Sequence, residues 1–388
     1  MSTTTLTSRE RVLRTLEHKE PDRVPWDMSL TVDIYHRLRE HLGLPPEPDK
    51  KMGLWTNVTA SLDLLDAMQI DIYYTGMNAP ANWTPPQTDD GLLYDEWGVG
   101  RTRIDRLDGS FYFEMVSHPL ANATVDDVES FPWPDPHDPH DPGRIDGLRE
   151  RVLAVRNETD KAIMFKSANS IWEQSWWMYG MEPWMMDMVA NPDVVCAIMD
   201  KVTDTAVGMM EVGLEEIGDL VDIVRLSGED MGTQLAPMIS PAMFNEMVKP
   251  RFERLWNMAR RKIEEKNPDA KLMVHSCGNI RPFIPTWIDM GLDVLDPIQP
   301  RAKGMEPDGL KRDFGDQLVF HGGIDLQHVL PHGTPDEVME EVRRYMRALA
   351  PGGGYIVAPA HNVQNDVPPA NLVAIRDAIE EYGNYPIQ

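Results

Sequence analysis

The chain has 388 residues, of which 42% are hydrophobic, and this is enough to bury a substantial core. Its 37 basic and 63 acidic residues give a formal net charge of -26, which argues against binding to nucleic acid or to an anionic membrane. Two cysteines far apart exclude a disulfide framework, and no signal-like or transmembrane-length apolar run occurs, so we expect a cytoplasmic protein.

Eight short apolar or β-branched runs recur along the chain, most of them separated by amphipathic segments of helical length, a pattern typical of βα units. The runs lie at residues 23–28, 71–77, 162–169, 222–230, 271–277, 293–299, 318–325 and 354–362. Eight parallel strands close a barrel, so the sequence predicts an α/β fold of the (β/α)8 TIM-barrel type. A doubly wound sheet is the alternative, but no glycine-rich phosphate turn follows the first run to support it.

Residues 78–142 interrupt this rhythm. The stretch NWTPPQTDDGLLYDEWGVGRTRID (82–105) is typical of a hairpin, and FPWPDPHDPHDPGR (131–144) is typical of a Pro/Asp-rich connector. We therefore predict a hairpin-containing insertion between the second and third barrel strands, within a single domain that spans residues 1–388.

Most of the eight runs begin apolar and end polar. The carboxyl ends of the strands form the catalytic face of a barrel, so we expect these polar side chains to converge on one mouth. They are Asp27, Asn169, Glu229, Asp230, His275, Cys277, Gln299, Asp325, His361 and Asn362.

His275 and Cys277 stand two residues apart, and on a strand such side chains point to the same face with their Cα atoms about 6.6 Å apart. The pair can bind one ion, but zinc requires a third protein ligand. His361 is the strongest candidate for that ligand, with Glu229 or Asp230 as a candidate fourth group. The residues alone leave two alternatives open, a polar mouth without metal and a nucleophilic Cys277 with a histidine base.

The segment IWEQSWWMYGMEPWMMDMV (171–189) carries four tryptophans and five methionines after the third run. Such residues form an aromatic-substrate pocket, a surface for a partner, or ordinary core and dimer packing, and the pattern does not choose among these. We name six candidate substrate-binding residues: Asp27, Trp176, Trp177, Tyr179, Gln299 and Gln364.

Five stretches resemble the uroporphyrinogen decarboxylase superfamily: RERVLRTLEHKEPDRVPWD, HSCGNI, GLDVLDPIQP, FHGGIDLQHVL and GGGYIVAPAHNVQNDVPPANLVAI. The resemblance runs through nearly the whole chain and implies a (β/α)8 barrel and a homodimer. True decarboxylases carry an arginine-containing stretch near the first strand that grips the substrate carboxylates. Here that stretch reads VPWDMSLTVDIYHRL, with an acidic Asp27 that would repel an octaanionic substrate.

A second branch of the superfamily consists of zinc-dependent, corrinoid-linked methyltransferases, which carry H-x-C and a distant third cysteine. His275 and Cys277 match the first two positions, and His361 stands where the family has cysteine. Histidine is a competent zinc ligand, so the site can survive this exchange.

The resemblance therefore implies a Zn2+ enzyme that transfers a methyl group from a small donor, such as an aryl methyl ether, to cobalamin. The cobalamin is expected on a separate corrinoid protein. Glu229, Asp230 and Asn362 are the candidate catalytic residues, which would orient the substrate or relay a proton. The alternatives are a metal-independent decarboxylase that uses Asp27 and Asp325, and a binding barrel without catalysis.

Overall fold

The computed structural model describes residues 5–47, 56–84, 86, 91–106, 111–138, 142–166 and 170–388. The strands in this part of the chain are β1 (Leu30–Thr31), β2 (Asn57–Val58), β3 (Ile72–Thr75), β4 (Leu93–Tyr94), β5 (Gly100–Asp105), β6 (Phe111–Ser117), β7 (Ala162–Lys166), β8 (Ile223–Gly228), β9 (Lys271–His275), β10 (Val294–Ile298), β11 (Val319–Ile324) and β12 (Tyr355–Pro359).

The helices in the same residues are α1 (Ser8–Leu16), α2 (Val32–His41), α3 (Leu62–Ala67), α4 (Val125–Ser130), α5 (Leu148–Glu158), α6 (Trp172–Tyr179), α7 (Met181–Ala190), α8 (Pro192–Ile217), α9 (Pro241–Met243), α10 (Lys249–Lys266), α11 (Ile284–Asp289), α12 (Pro307–Phe314), α13 (Val329–His332), α14 (Pro335–Leu349) and α15 (Pro369–Tyr382). A π-helical segment, Phe244–Val248, joins α9 to α10. Short 3-10 segments lie at Pro142–Arg144, Gly218–Leu220 and Arg281–Phe283.

Seven of the described strands form one parallel sheet in the order β12-β11-β10-β9-β8-β7-β3. Each lies inside a run that the sequence predicts as a strand, and most of its residues are buried, as expected for parallel strands covered on both faces. The order across the sheet follows the order along the chain without a reversal. The doubly wound alternative is therefore wrong, because that arrangement requires a switch point in the strand order.

The first predicted run closes this sheet into a barrel. The amide of Val357 in β12 donates to the carbonyl of Pro25 at 3.0 Å, and the amide of Asp27 donates back to the Val357 carbonyl at 2.9 Å. On the other side, the amide of Asp71 donates to the Trp26 carbonyl at 3.1 Å, next to β3. The run forms a single bridge to β12, between Trp26 and Val357, rather than a full strand, since Pro25 has no amide hydrogen for the ladder. The predicted (β/α)8 barrel is confirmed.

Helix α1 covers the amino end of the barrel. It begins with a capping box between Thr7 and Glu10, and its residues Val12 and Leu16 pack against one inward layer of the strands. That layer is entirely apolar: Ile72, Ala162, Met164, Ile223, Met273, Val294, Val319 and Ile356. The amino half of the barrel is therefore a packed core, and a functional cavity is restricted to the carboxyl end.

Between β3 and β7 the chain forms a separate antiparallel sheet of β4, β5 and β6. The pair β4 and β5 has the register of a hairpin, with Tyr94 opposite Gly100, and β6 adds a third strand. Arg101 is buried in this sheet, where its guanidinium pairs with Asp95 at 2.5 Å. Among the described residues, no helix has the length and the apolar character needed to cross a membrane.

Candidate functional site

The barrel strands carry their next inward side chains two residues beyond the apolar layer, because side chains on a strand alternate between the two faces. Seven such positions line a single cavity at the carboxyl end: Tyr74, Lys166, Arg225, His275, Asp296, His321 and Ala358. Six of the seven strands thus place an ionisable side chain in the same ring. The inward-facing side chains therefore change from apolar in one layer to charged in the next.

The structure brings His275, Cys277 and His361 together at the rim of this cavity. One ligand atom from each lies within 4.8 Å of the other two. Sγ of Cys277 is 3.5 Å from Nε2 of His275, and the two histidine rings meet edge to face with centroids 5.4 Å apart. His361 follows β12, three strands away from β9 in the sheet, so the contact runs across the barrel mouth.

Cys277 lies beyond the end of its strand, whereas the sequence predicts that it belongs to the strand. The strand β9 ends at His275, and the amide of Cys277 donates to Oδ1 of Asp230 at 2.8 Å rather than to a neighbouring strand. The carboxylate therefore turns the chain and holds the cysteine against the histidine. Oδ1 of Asp230 is also 3.6 Å from Nε2 of His275, which places this carboxylate beside the three candidate ligands.

A buried carboxylate orients His275. Nδ1 of His275 lies 2.7 Å from Oδ2 of Asp296, and since a carboxylate only accepts, the nitrogen carries the proton. Nε2, 3.5 Å from Sγ of Cys277, is then the ring nitrogen available to a metal ion. This is the arrangement by which proteins fix the tautomer and the ring of a metal-binding histidine.

The polar chain continues from Asp296 through the barrel interior. Its Oδ1 accepts from Nδ1 of His321 at 2.8 Å, and Nε2 of His321 donates to Asp27 at 3.0 Å. Asp27 also accepts from the hydroxyl of Tyr74. His321 therefore bridges two buried carboxylates and uses both ring nitrogens as donors.

The charges of these hydrogen-bonded groups depend on one another. Burial disfavours protonated His321, but Asp296 and Asp27 outweigh it and raise the pKa of His321 to about 9. Burial likewise disfavours ionised Asp296, but His275 and His321 outweigh it and hold the pKa of Asp296 well below its usual range. Near neutral pH this hydrogen-bonded series contains a protonated His321 between Asp296 and Asp27.

The protonation of the other two candidate ligands favours metal binding over nucleophilic catalysis. Burial and the nearby Asp230 raise the pKa of the Cys277 thiol well above its ordinary value, so the free cysteine is a poor source of thiolate. Desolvation by the surrounding protein and the nearby His275 lower the pKa of His361, although its side chain is partly exposed to solvent. A neutral imidazole keeps its lone pair for a cation, and a bound cation would itself deprotonate the thiol.

The donor types are compatible with zinc, and the spacing of His275 and Cys277 matches a zinc ion. With Zn–N bonds of about 2.0 Å and Zn–S bonds of about 2.3 Å, tetrahedral geometry separates a nitrogen and a sulfur ligand by about 3.5 Å. The distance between Nε2 of His275 and Sγ of Cys277 is 3.5 Å. Three protein ligands also leave the fourth position for a substrate, as in catalytic zinc sites.

The cavity beside these residues has a volume of about 150 Å3. A cavity of this size in another protein admits benzene, so one aromatic ring is the scale of ligand that fits. His275 and His361 line it together with Asp27 and Asn362, both of which the sequence predicts as site residues. The amide oxygen of Asn362 accepts from the hydroxyl of Ser29, which fixes it at the cavity wall.

Other predicted site residues lie outside the cavity lining. The carboxylate of Glu229 is buried and accepts from the amides of Ile171 and Trp172 at 2.8 and 2.7 Å, at the start of α6. These contacts favour a structural role. Gln299 accepts from the amide of Gly278 at 2.5 Å and so secures the loop that follows Cys277.

Gln364 accepts from Arg106 of the insertion at 2.7 Å. Asp325 pairs with Arg301 at 2.7 Å and accepts from the amide of Gln327, so it anchors the turn after β11. Neither Gln364 nor Asp325 lines the cavity.

The aromatic residues predicted to bind substrate do not line this cavity either. Trp176 and Trp177 are half-buried on α6 and meet edge to face, and both pack against the main core. Tyr179 is buried, and its hydroxyl donates to Asp187 at 2.6 Å. The contacts of all three are those of core packing.

Lys166 and Arg225 are cavity residues that the sequence does not single out, although their position two residues after an apolar inward residue marks them. Burial, together with the adjacent Arg225, lowers the pKa of Lys166 to about 8. Glu173 on α6 was also missed. Burial, with Asp230 and Glu229 nearby, raises the pKa of Glu173 well above its usual range, which favours the protonated carboxyl.

Comparison with solved structures supports the barrel. A methyltransferase from Methanosarcina mazei superposes with a TM-score of 0.66 over 97% of this chain and 99% of that chain, at 17% sequence identity.

Comparison with curated sequences points to one family. A uroporphyrinogen decarboxylase from Pseudoalteromonas translucida is 21% identical over 72% of this chain and 75% of its own length. Another from Psychromonas ingrahamii is 20% identical over 66% and 68%. The family model for uroporphyrinogen decarboxylase (URO-D) matches residues 114–382, which is more than half of the chain. The protein therefore belongs to the uroporphyrinogen decarboxylase family.

Proposed function

We propose that this protein is a zinc-dependent methyltransferase that takes a methyl group from a small donor, an aryl methyl ether, and passes it to the corrinoid of a partner protein. The observation that carries the proposal is the meeting of His275, Cys277 and His361 within 4.8 Å at the rim of a cavity of ring size. The methyltransferase activity named for the Methanosarcina mazei protein supports the same reaction class.

The reaction would break the carbon–oxygen bond of the ether, leave its electron pair on oxygen and deliver the methyl group to the reduced corrinoid of the partner. His275, Cys277 and His361 would hold a zinc ion that supplies a Lewis acid for the departing oxygen. The chain's own residues orient the ligands: Asp296 fixes His275, and Asp230 holds the backbone of Cys277. Glu173 is half-buried, and burial together with the nearby Asp230 raises its pKa, so its protonated carboxyl is a candidate proton donor to the leaving oxygen.

A decarboxylase is the alternative that the curated relatives suggest. Two observations disfavour it. The cavity is of the size of one ring, whereas the substrate that names those relatives is a tetrapyrrole. Asp27 and Asp325, the carboxylates expected to act in a metal-independent reaction, do not share one site, since Asp325 lies outside the cavity lining.

The described residues form the barrel and its insertion, and the proposal places the cobalamin on a separate corrinoid protein. One stretch, DPHDPG (138–143), does have the D-x-H-x-x-G spacing of cobalamin-binding loops. It belongs to the Pro/Asp-rich connector, and its residues 139–141 lie outside the described part of the chain. The spacing alone therefore does not place a cobalamin on this protein.

The surface near the mouth offers a place for such a partner. Met186, Val189 and Leu235 are 65%, 76% and 74% exposed, and they lie on segments that follow the carboxyl ends of β7 and β8. A groove between these segments is lined largely by methionine and proline, including Met185, Pro237, Met238, Met243 and Pro282. Exposed apolar surface of this kind is typical of protein contact sites, and methionine adapts to varied shapes.

Metal analysis tests the proposal directly. The purified wild type is expected to contain one zinc, and Cys277→Ser and His361→Ala are expected to lose most of it. The matched control is Cys196→Ser, because Cys196 is the second cysteine and lies on α8. Equal zinc in the wild type and Cys277→Ser would remove the site from consideration.

Activity is tested with methoxylated aromatic compounds and a reduced corrinoid protein, by following methylation of the cobalt in its absorption spectrum. The wild type is expected to methylate the corrinoid with at least one donor, and the zinc-free Cys277→Ser variant with none. Release of carbon dioxide from a tetrapyrrole carboxylate, without any methyl transfer, would instead establish the decarboxylase.

A further inference from the structure

Lys166 is a cation of the cavity that has no partner among the residues that the structure describes. It is the last residue of β7 and lines the cavity with Arg225, its register neighbour on β8. No hydrogen bond or ion pair joins its ammonium group to another described side chain or carbonyl. Arg225, in contrast, donates to Oδ2 of Asp296 at 3.1 Å.

The carboxylates that line the cavity are already occupied. Oδ2 of Asp296 accepts from His275 and Arg225, and its Oδ1 accepts from His321. Oδ1 of Asp27 accepts from the amide of Met28, and its Oδ2 accepts from Tyr74 and His321. Neither carboxylate is left to neutralise Lys166.

The ring of charged groups therefore carries an excess positive charge. Lys166, Arg225 and protonated His321 face the two carboxylates Asp27 and Asp296. Glu173 is also near Lys166, but burial and the nearby Asp230 raise the pKa of Glu173 well above its ordinary value, which disfavours a charged Glu173 as the counter-ion. A half-buried ammonium without a counter-ion is unfavourable unless a ligand provides one.

We propose that Lys166, with Arg225 beside it, forms a binding subsite for a carboxylate, so that the substrate is a small aromatic acid rather than a neutral compound. Identifying this ligand with the methyl donor rests on the proposed function. A ring-sized cavity that has zinc ligands at its rim and Lys166 in its wall would hold a donor by its acidic group and direct the other end to the metal. The carboxylate would accept from both cations, which is the strong, charge-assisted form of hydrogen bond.

The experiment measures binding of benzoate and of its neutral analogue benzamide to the full-length protein by isothermal titration calorimetry. Benzoate is expected to bind the wild type more tightly than benzamide by about tenfold or more, as for a hydrogen bond to a charged group. Lys166→Met is expected to lose this preference, and Lys166→Arg to keep most of it. Lys303→Met removes an exposed lysine outside the cavity and is expected to bind benzoate as the wild type does.

The proposal is overturned if the wild type does not distinguish benzoate from benzamide, or if Lys166→Met binds benzoate as tightly as the wild type. The titration is repeated after a chelator has removed bound metal. Benzoate that binds only the metal-loaded protein, with no effect of Lys166→Met, would be a metal ligand and would also overturn the subsite. Benzoate binding through Lys166 in a protein that takes up no zinc would support the subsite and refute the methyltransferase, so the two failures are distinguishable.

Discussion

Asp296 lies at the centre of the barrel and joins His275 to His321, with its two oxygens 2.7 Å and 2.8 Å from the Nδ1 atoms of the two rings. One carboxylate thereby sets the tautomer of a candidate metal ligand and the charge of a buried histidine. The candidate metal centre is thus connected to the barrel core through Asp296, in addition to the contact between Asp230 and the backbone of Cys277 at the mouth.

Asp296→Asn is expected to weaken zinc binding by about 10- to 100-fold, because losing the partner of a metal-binding histidine releases its tautomer and its orientation. The measurement is competition for zinc with a chromophoric chelator. Asp293→Asn is the control, since Asp293 pairs with Arg260 outside the cavity and its loss removes an acidic group of the same size. Equal zinc affinity in Asp296→Asn and the wild type would show that His275 is not a ligand through Nε2.

His321 is expected to make the protein less stable as the pH rises. The folded protein holds this proton up to about pH 9, whereas the unfolded chain releases it near 6.5, so the folded state binds more protons between these values. The stabilisation is fully present below pH 6.5 and is lost as the pH rises through about 9, and its size is on the order of 3 kcal/mol.

Urea unfolding across this pH range tests the point. The free energy of unfolding of the wild type is expected to fall with pH more steeply than that of His321→Gln. His332→Gln removes an exposed histidine and is expected to keep the wild-type slope. Parallel curves for the wild type and His321→Gln would mean that His321 is neutral in the folded protein.

Glu229 is expected to contribute to stability rather than to the chemistry. Its carboxylate accepts from two amides at the start of α6, so Glu229→Gln should lower the free energy of unfolding by about 1 to 3 kcal/mol. Glu264→Gln, at an exposed position of α10, is the control. Loss of methyl transfer in Glu229→Gln without any loss of stability would assign the residue a catalytic role instead.

The fold was predictable because strands buried on both faces leave continuous apolar runs in the sequence, and seven such runs became strands. The meeting of His275 with His361 was also predictable, since barrel topology brings strand ends together whatever their separation in sequence. The extent of strand structure in the first run, residues 23–28, is smaller than its apolar residues predict, because Pro25 interrupts the ladder.

The polar residues that follow each strand do not identify the whole cavity lining. Several of those residues, such as Gln299 and Asp325, bind backbone amides and secure turns. The residues that line the cavity stand inside the strands, where one charge among apolar neighbours resembles part of the core. Strand alternation was the available signal, as with Lys166 two residues after Met164.

The exposed apolar surface beside the mouth leads to the last prediction. If it receives the corrinoid partner, Val189→Glu combined with Leu235→Glu should slow methyl transfer to the protein-bound corrinoid, because each carboxylate would have to be desolvated in the interface. Transfer to free cobalamin should be unchanged, since neither residue lines the cavity. Val125→Glu, which adds a charge at the start of α4, is the control. The comparison of the two acceptors separates docking from chemistry: equal slowing with both would place the defect in the active site, and no slowing with either would mean that the partner binds elsewhere.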